Sequence, residues 1–333
     1  MIPSTLALAG VVDLSRRGKL RVTGADRVRF LNGQVSNEVR RVSQAASIYT
    51  CVMTIKGKMC ADAFIHATGD ALWLDAEPEV RESLAARLEK YIIADDVTLE
   101  DVSDDLSLLH LVPLPADAVE DAVPAAWAQS LAAFRCIRSW RYGQPGLDLF
   151  GSPAAIGEAR GHLLAANPFF DAGSLDLLRI LAGVPKWGAE LDENTMPAEA
   201  GLEERAVSYD KGCYIGQEVV SRVKSVGHVN RHLRGLRSSG GGGGLAPGWS
   251  LYPAEAAPGS REVGRVTSVA PDPADERATI ALAFVRRGWE SAGNVLAARP
   301  APSTDSAPGD HAPAGLDLPR EECRVVVCEL PFI

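Results

Sequence analysis

Alternation of apolar and polar positions divides the chain into short elements from the start. Lys19–Gly24 reads as a strand that ends in a turn, and Asp26–Leu31 opens a helix with an acid in its first turn. Ile48–Ile55 is rich in β-branched residues and stops at Lys56-Gly57-Lys58. Asp62–His66 and Ala71–Leu74 follow as strands joined by Thr68-Gly69-Asp70. Leu84, Leu88 and Tyr91 recur at helical spacing between Pro78 and Tyr91, with Arg81, Glu82, Arg87 and Glu89 for the wet face. Val97–Leu109 is strand material broken by acidic turns. Strands mixed with helices over roughly the first 230 residues predict an α+β body.

Past the run Ser238-Ser-Gly-Gly-Gly-Gly-Gly-Leu245 the pattern changes. Trp249–Tyr252, Gly264–Val269, Thr279–Val285 and Arg324–Cys328 are short β-like runs separated by turns, the spacing of a small β-barrel or sandwich. Residues 297–319, rich in Pro, Ala, Gly and Asp, are expected to form a mobile loop in that part. The expected division is a body over 1–235, made of two interleaved subdomains, and a C-terminal barrel domain over 236–333.

Length and charge narrow the classes. A chain of 333 residues exceeds what one core usually organises. Its net charge of −9 argues against general nucleic-acid binding, which needs a basic footprint. No stretch approaches the roughly 20 apolar residues of a membrane helix, and no basic residue precedes the apolar N-terminal run, so a secretory signal is not expected. The six cysteines, Cys51, Cys60, Cys136, Cys213, Cys323 and Cys328, form no C-x-x-C pair and do not space as a zinc site. Reduced thiols, a cytoplasmic location and no bound metal are the expectation.

One passage concentrates chemistry: Lys211-Gly-Cys-Tyr-Ile-Gly-Gln-Glu218, followed by Val-Val-Ser-Arg222. A thiol stands two residues from a lysine and just before an amphipathic stretch able to begin a helix. Both features favour a thiolate at Cys213. Gly212 and Gly216 let the backbone bend and a ligand approach, and Gln217 and Glu218 add hydrogen-bonding groups. The same residues also fit a buried small thiol beside a turn.

The block resembles the signature K-G-C-[aromatic]-x-G-Q-E of the YgfZ family at every fixed position. Further stretches resemble that family in order: Phe30–Asn37 (F-L-N-G-Q-V-S-N), Lys56–Phe64 (K-G-K-M-C-A-D-A-F), Leu178–Pro185 (L-R-I-L-A-G-V-P), Val229–Arg234 and Leu330–Phe332. The resemblance implies a fold like that of the glycine-cleavage T-protein, three domains around a central hole that receives folate. It also implies tetrahydrofolate as ligand and a role in making or maintaining iron–sulfur enzymes, with client enzymes or assembly factors as partners. Cys213 would be the reactive thiol, Lys211 the cation tuning it, and Gly212, Tyr214, Gly216, Gln217 and Glu218 the ligand-lining residues.

Two carboxylates are candidates for gripping a pterin edge. Asp62 lies where the T-protein relatives carry an acid pair with one catalytic member; Ala61 replaces the other acid, which counts against aminomethyl transfer. Asp148 lies in a segment that loosely resembles the relatives' pterin-contacting stretch, and a turn-capping role fits it equally. For the anionic tail the signal is a basic run: Arg222, Lys224, Arg231, Arg234 and Arg237, with His228 and His232, occur without an acid from Val219 to Ala254. Three readings follow: an accessory protein for iron–sulfur enzymes, a folate-dependent aminomethyltransferase or demethylase-type transferase, and a folate-binding scaffold without turnover.

Overall fold

A computed structural model describes residues 10–112, 134–164, 169–238, 245–257, 260–301 and 322–332. Of residues 1–10 only Gly10 is among them. The glycine run 240–244 and most of the loop expected at 297–319 lie outside them. Ala297–Arg299, however, complete a strand rather than begin a loop. Among the described residues no helix is long and apolar enough to cross a membrane.

The chain divides into two compact units. The larger runs to Leu175 and resumes over Lys186–His228. It contains β1 (Gly10–Asp13), β2 (Gly18–Thr23), α1 (Arg27–Gln34), β3 (Ile48–Met53), β4 (Met59–Thr68), β5 (Ala71–Ala76), α2 (Arg81–Glu89), β6 (Thr98–Asp101), β7 (Ser107–Val112), β8 (Phe134–Ser139), β9 (Gly146–Gly151) and α3 (Pro153–Leu164). After α4 (Ala172–Leu181), the helices α5 (Glu203–Ala206) and α6 (Gln217–Ser225) belong to it as well.

Two antiparallel sheets organise this unit, one ordered β3-β4-β5-β2-β6 and the other β1-β7-β9-β8. Side chains alternate across a strand, and β4 shows the consequence. Ala61, Ala63 and Ile65 enter a core with Leu20, Val22, Leu72 and Leu74 under Phe30 and Leu31 of α1 and Leu84 and Leu88 of α2. Asp62 and Phe64 take the opposite face. There Cys51, Met53 and Met59 meet Leu202, Ala206, Tyr214 and Val220 from the later helical segments.

The smaller unit holds Asp176–Pro185 and the chain from Val229 on. Its strands β10 (Arg231–Ser238), β11 (Ser250–Pro253), β12 (Gly264–Pro271), β13 (Thr279–Arg286), β14 (Val295–Arg299) and β15 (Cys323–Cys328) close a six-stranded barrel in the order β10-β13-β12-β11-β14-β15. Closure leaves no unpaired sheet edge, and Leu236, Leu251, Val266, Ala283, Leu296 and Val325 fill the interior. Two stretches singled out in the sequence, Leu178–Pro185 and Leu330–Phe332, meet here. Gly183 has φ 66, and a Cβ on it would lie 2.8 Å from Cβ of Leu330. The amide of Phe332 donates to the carbonyl of Leu181 at 2.9 Å.

Candidate functional site

Strand register builds the first part of the site. Cys51 pairs with Asp62 and Tyr49 with Phe64 across β3 and β4, so Tyr49 is the diagonal neighbour of Asp62 on the same face. Its hydroxyl donates to Oδ2 of Asp62 at 2.9 Å. The other oxygen, Oδ1, is buried without a hydrogen-bond partner, and the residue is only 7% exposed. Burial pushes the Asp62 carboxyl up to about 6, against the pull of the Arg17 cation and the Tyr49 hydrogen bond, with Glu77 adding to the rise. A buried, half-satisfied acid that titrates near neutrality is suited to exchange a proton or accept an N–H.

Ala61 is fully buried in the apolar core on the other face of β4. The position that lacks the second acid therefore does not share the face of β4 that carries Asp62.

The raised value has a stability consequence. Asp62 ionises near pH 4 in the unfolded chain and near 6 in the folded one. Between those values the folded state holds the extra proton, so this group makes folding less favourable as pH rises from about 4 to about 6, and the deficit persists above. Asp62→Asn is expected to stabilise the protein at pH 8 by about 2–3 kcal/mol and to leave it unchanged at pH 4. Thermal melts at the two pH values check this; equal melting temperatures at pH 8 would show that the charge is compensated.

The K-G-C-Y-I-G-Q-E block docks against the Phe30–Asn37 stretch. Lys211 is 7% exposed, and its ammonium donates to the carbonyls of Asn32, Val35 and Asn37, each at 2.7 Å. All three protons of the cation are thus engaged with main chain, which makes Lys211 a strut under the block. Tyr214 is buried in the core with the Lys211 ammonium 5.0 Å from its ring centre. The amide of Ile215 donates to the carbonyl of Gly33 at 3.1 Å. Gly216 has φ 89 just before α6, and a Cβ there would meet the Thr54 carbonyl at 2.7 Å, so glycine is required. Gly212 faces open space. Cys213 and Glu218 are exposed and Gln217 is half-buried on this fixed base.

Asp148, expected as a pterin contact, has no oxygen to offer. It is fully buried on β9. It accepts from Arg141 Nε at 2.8 Å and Nη2 at 2.7 Å, and pairs with His110 at 2.7 Å. The Arg141 guanidinium also pairs with Asp75, which in turn holds Arg17 and His66; Arg17 reaches Glu77. Arg141 and the hydrogen bond from His110 hold the Asp148 carboxyl below the ordinary range despite burial. Ligand-type atoms of His66, Asp75 and Asp148 lie within 4.8 Å of one another, but Arg141 supplies the positive charge there that a metal ion would.

The basic run is split between the units. Arg222 and Lys224 occupy the last turn of α6, a favourable place for cations, and Lys224 lies 3.3 Å from the Tyr209 ring centre. Arg231, Arg234 and Arg237 lie on β10 in the barrel unit. Arg231 stacks on Phe284, Arg234 donates to the carbonyl of Glu290 at 3.0 Å, and Arg237 pairs with Asp272 at 2.6 Å.

Tyr49, Arg17 and Asp75 carry no sequence motif, and Arg141 only opens the segment that ends at Asp148. The one available signal was strand alternation, which puts Tyr49 and Asp62 on a common face once β3 and β4 are paired.

Residues 4–141 match the family described as GCVT N-terminal domain. The chain is 28% identical over 265 residues to "Iron-sulfur cluster assembly factor IBA57 homolog, mitochondrial" of Aspergillus fumigatus, covering 70% of this chain and 58% of that protein. It is 26% identical over 309 residues to "Aminomethyltransferase" of Rubrobacter xylanophilus, covering 89% of this chain and 81% of that one. In structure it resembles the glycine cleavage system aminomethyltransferase T from Bartonella henselae, with a TM-score of 0.77 and 19% identity over 98% of this chain and 87% of that chain. The fold is that of the glycine-cleavage aminomethyltransferase.

Proposed function

We propose that this chain is a tetrahydrofolate-binding accessory protein of the YgfZ type, acting in the cytoplasm in the assembly, maintenance or repair of iron–sulfur enzymes. The observation that carries this reading is how the K-G-C-Y-I-G-Q-E block is built. Lys211, Tyr214 and Gly216 are committed to holding it, while Cys213 stands exposed at its surface. Such a platform presents a thiol outward, to a partner, rather than enclosing it over a small substrate. Similarity to the iron–sulfur assembly factor supports the same reading.

The residues present fit a reduced folate. A reduced pterin offers N–H donors, and the buried, unpartnered Oδ1 of Asp62 is an acceptor that one of them would satisfy. Asp62, oriented by Tyr49, would hold the pterin and keep or release a proton at its carboxyl. Bound folate would supply one-carbon carrying capacity.

A rescue experiment tests the proposal. A strain lacking its own YgfZ-type protein receives the wild-type chain or Cys213→Ala, and the activity of a 4Fe–4S enzyme is read. Wild type is expected to restore activity, and the variant to restore less than a tenth of it while expressing equally. Full rescue by Cys213→Ala would remove the thiol from the mechanism.

Folate-dependent aminomethyl transfer is the second reading, favoured by the buried carboxyl of Asp62, which has one unpartnered oxygen and is pushed up to about 6. It predicts folate-dependent release of a one-carbon unit from an aminomethyl carrier, lost in Asp62→Asn. Binding without turnover would decide against it.

A further inference from the structure

The buried or half-buried cations around the Asp62 face are nearly all accounted for. Arg17 and Arg141 pair with carboxylates, and Lys19 and Lys211 hold main-chain carbonyls. Arg205 of α5 differs in that, among the described residues, only its Nη2 has a hydrogen-bond acceptor. It is half-buried, and its Nη2 donates to the carbonyls of Trp140 at 3.0 Å and Arg141 at 3.4 Å. Its Cζ lies 5.8 Å from the centre of the Tyr49 ring. Among the described residues no carboxylate forms an ion pair with it. Burial holds its pKa below the usual arginine value, with only the Tyr49 hydroxyl opposing. A guanidinium drawn out of water without a counter-ion is unfavourable unless an anion completes it.

The second observation lies at the hydroxyl of the same tyrosine. The Tyr49 hydroxyl donates to Asp62, whose Oδ1 is buried and unpartnered. The principal charges acting on Asp62 are Arg17 and Glu77, so Arg205 is not its counter-ion. Tyr49 thus touches both a guanidinium with no carboxylate paired to it among the described residues and a carboxylate with one unpartnered oxygen.

We propose that Arg205 is the seat of a ligand carboxylate, in a site whose second anchor is Asp62, with Tyr49 in contact with both. The ligand class is a molecule that carries both a carboxylate and an N–H donor. Two sources share that chemistry: the glutamate tail of a folate, and a free small amino acid such as N-methylglycine. The first source rests on the folate-binding reading above; the second stands without it. The planar fork of arginine matches a carboxylate with two parallel hydrogen bonds, which lysine cannot reproduce.

Calorimetric titration of the full chain separates the two. The probes are tetrahydrofolate, tetrahydropteroate, which lacks the glutamate, N-methylglycine, and N-methylglycinamide, which lacks the carboxylate. If the tail is the source, wild type binds tetrahydrofolate at least tenfold more tightly than tetrahydropteroate. Arg205→Gln then removes most of that difference, and Arg205→Lys restores part of it. If an amino acid is the source, N-methylglycine binds saturably, its amide at least tenfold more weakly, and Arg205→Gln abolishes the discrimination.

The proposal is overturned if wild type shows no preference for the carboxylate in either pair, or if Arg205→Gln keeps the preference intact. The wild-type comparisons decide this even should the variant misfold. Failure of both pteridines to bind wild type would sink the folate reading instead, and the N-methylglycine pair would then decide the Arg205 site alone.

Discussion

Arg141→Met is expected to destabilise the larger unit by about 3–5 kcal/mol, the scale of breaking a buried ion pair from one side. Arg141 is 4% exposed and neutralises two carboxylates, Asp75 and Asp148, that are themselves fully buried. Both acids are held below the ordinary carboxylate range, chiefly by Arg141 acting against burial. Methionine leaves the volume nearly filled and the charges uncompensated, with Arg17 still facing Asp75 alone. The loss is a large share of a typical total stability of about 5–15 kcal/mol.

The pH dependence has a definite sign. Acids with depressed folded values contribute stability that is fully present above about pH 4 and is lost as pH falls through their folded values. Wild type should therefore weaken on acidification below pH 4. In Arg141→Met the penalty should shrink as the pH falls, because protonation removes the uncompensated charge. Urea midpoints for both proteins at pH 7 and pH 4 measure this, and a variant within 1 kcal/mol of wild type at pH 7 would show that the network is not what it appears from its geometry. The site should feel the change as well. The Arg141 guanidinium lies 4.2 Å from the Phe64 ring centre, and Phe64 stacks on Tyr49 at 4.8 Å, which holds Asp62.

Lys211→Met should cost at least about 3 kcal/mol, since hydrogen bonds to a charged group contribute about 1.5–3 kcal/mol each and are not fully additive. Methionine leaves three carbonyls, those of Asn32, Val35 and Asn37, without their shared donor. Two of them lie at or just after the end of α1, where a cation also offsets the helix dipole. The expected readouts are a lower melting temperature and a lost rescue of the 4Fe–4S enzyme, through release of the block that presents Cys213. A variant that melts like wild type yet fails to rescue would instead assign Lys211 a direct chemical role beside the thiol. Its three short contacts to main chain argue for the strut.

Much of the fold was legible because its signals are local. The turns expected near Lys56-Gly57-Lys58 and Gly69-Asp70 separate β3, β4 and β5, although β4 runs over Met59–Thr68 rather than Asp62–His66. Helical spacing of Leu84 and Leu88 placed α2, and regularly spaced β-like runs anticipated the closed barrel. The K-G-C-Y-I-G-Q-E block, and Asp62 as an acid to examine, were also visible from residue type and order.

What each of these residues does was decided by pairing between distant segments. Lys211 serves carbonyls 174 to 179 positions away. Asp148 is closed to ligands because β9 sets it against His110 of β7 and against Arg141, itself tied to Asp75 on β5 of the other sheet. Ala61 and Asp62 are neighbours in sequence but face opposite sides of β4, and only the packing of α1 and α2 on one side makes that side the apolar core. Tyr49 meets Asp62 through strand register, and Arg205 meets Tyr49 through a short helix that brings a guanidinium over the phenol ring. Local sequence fixes backbone propensity within a few residues, whereas charge compensation and burial depend on what the rest of the chain places opposite, and that is settled only when the segments pack.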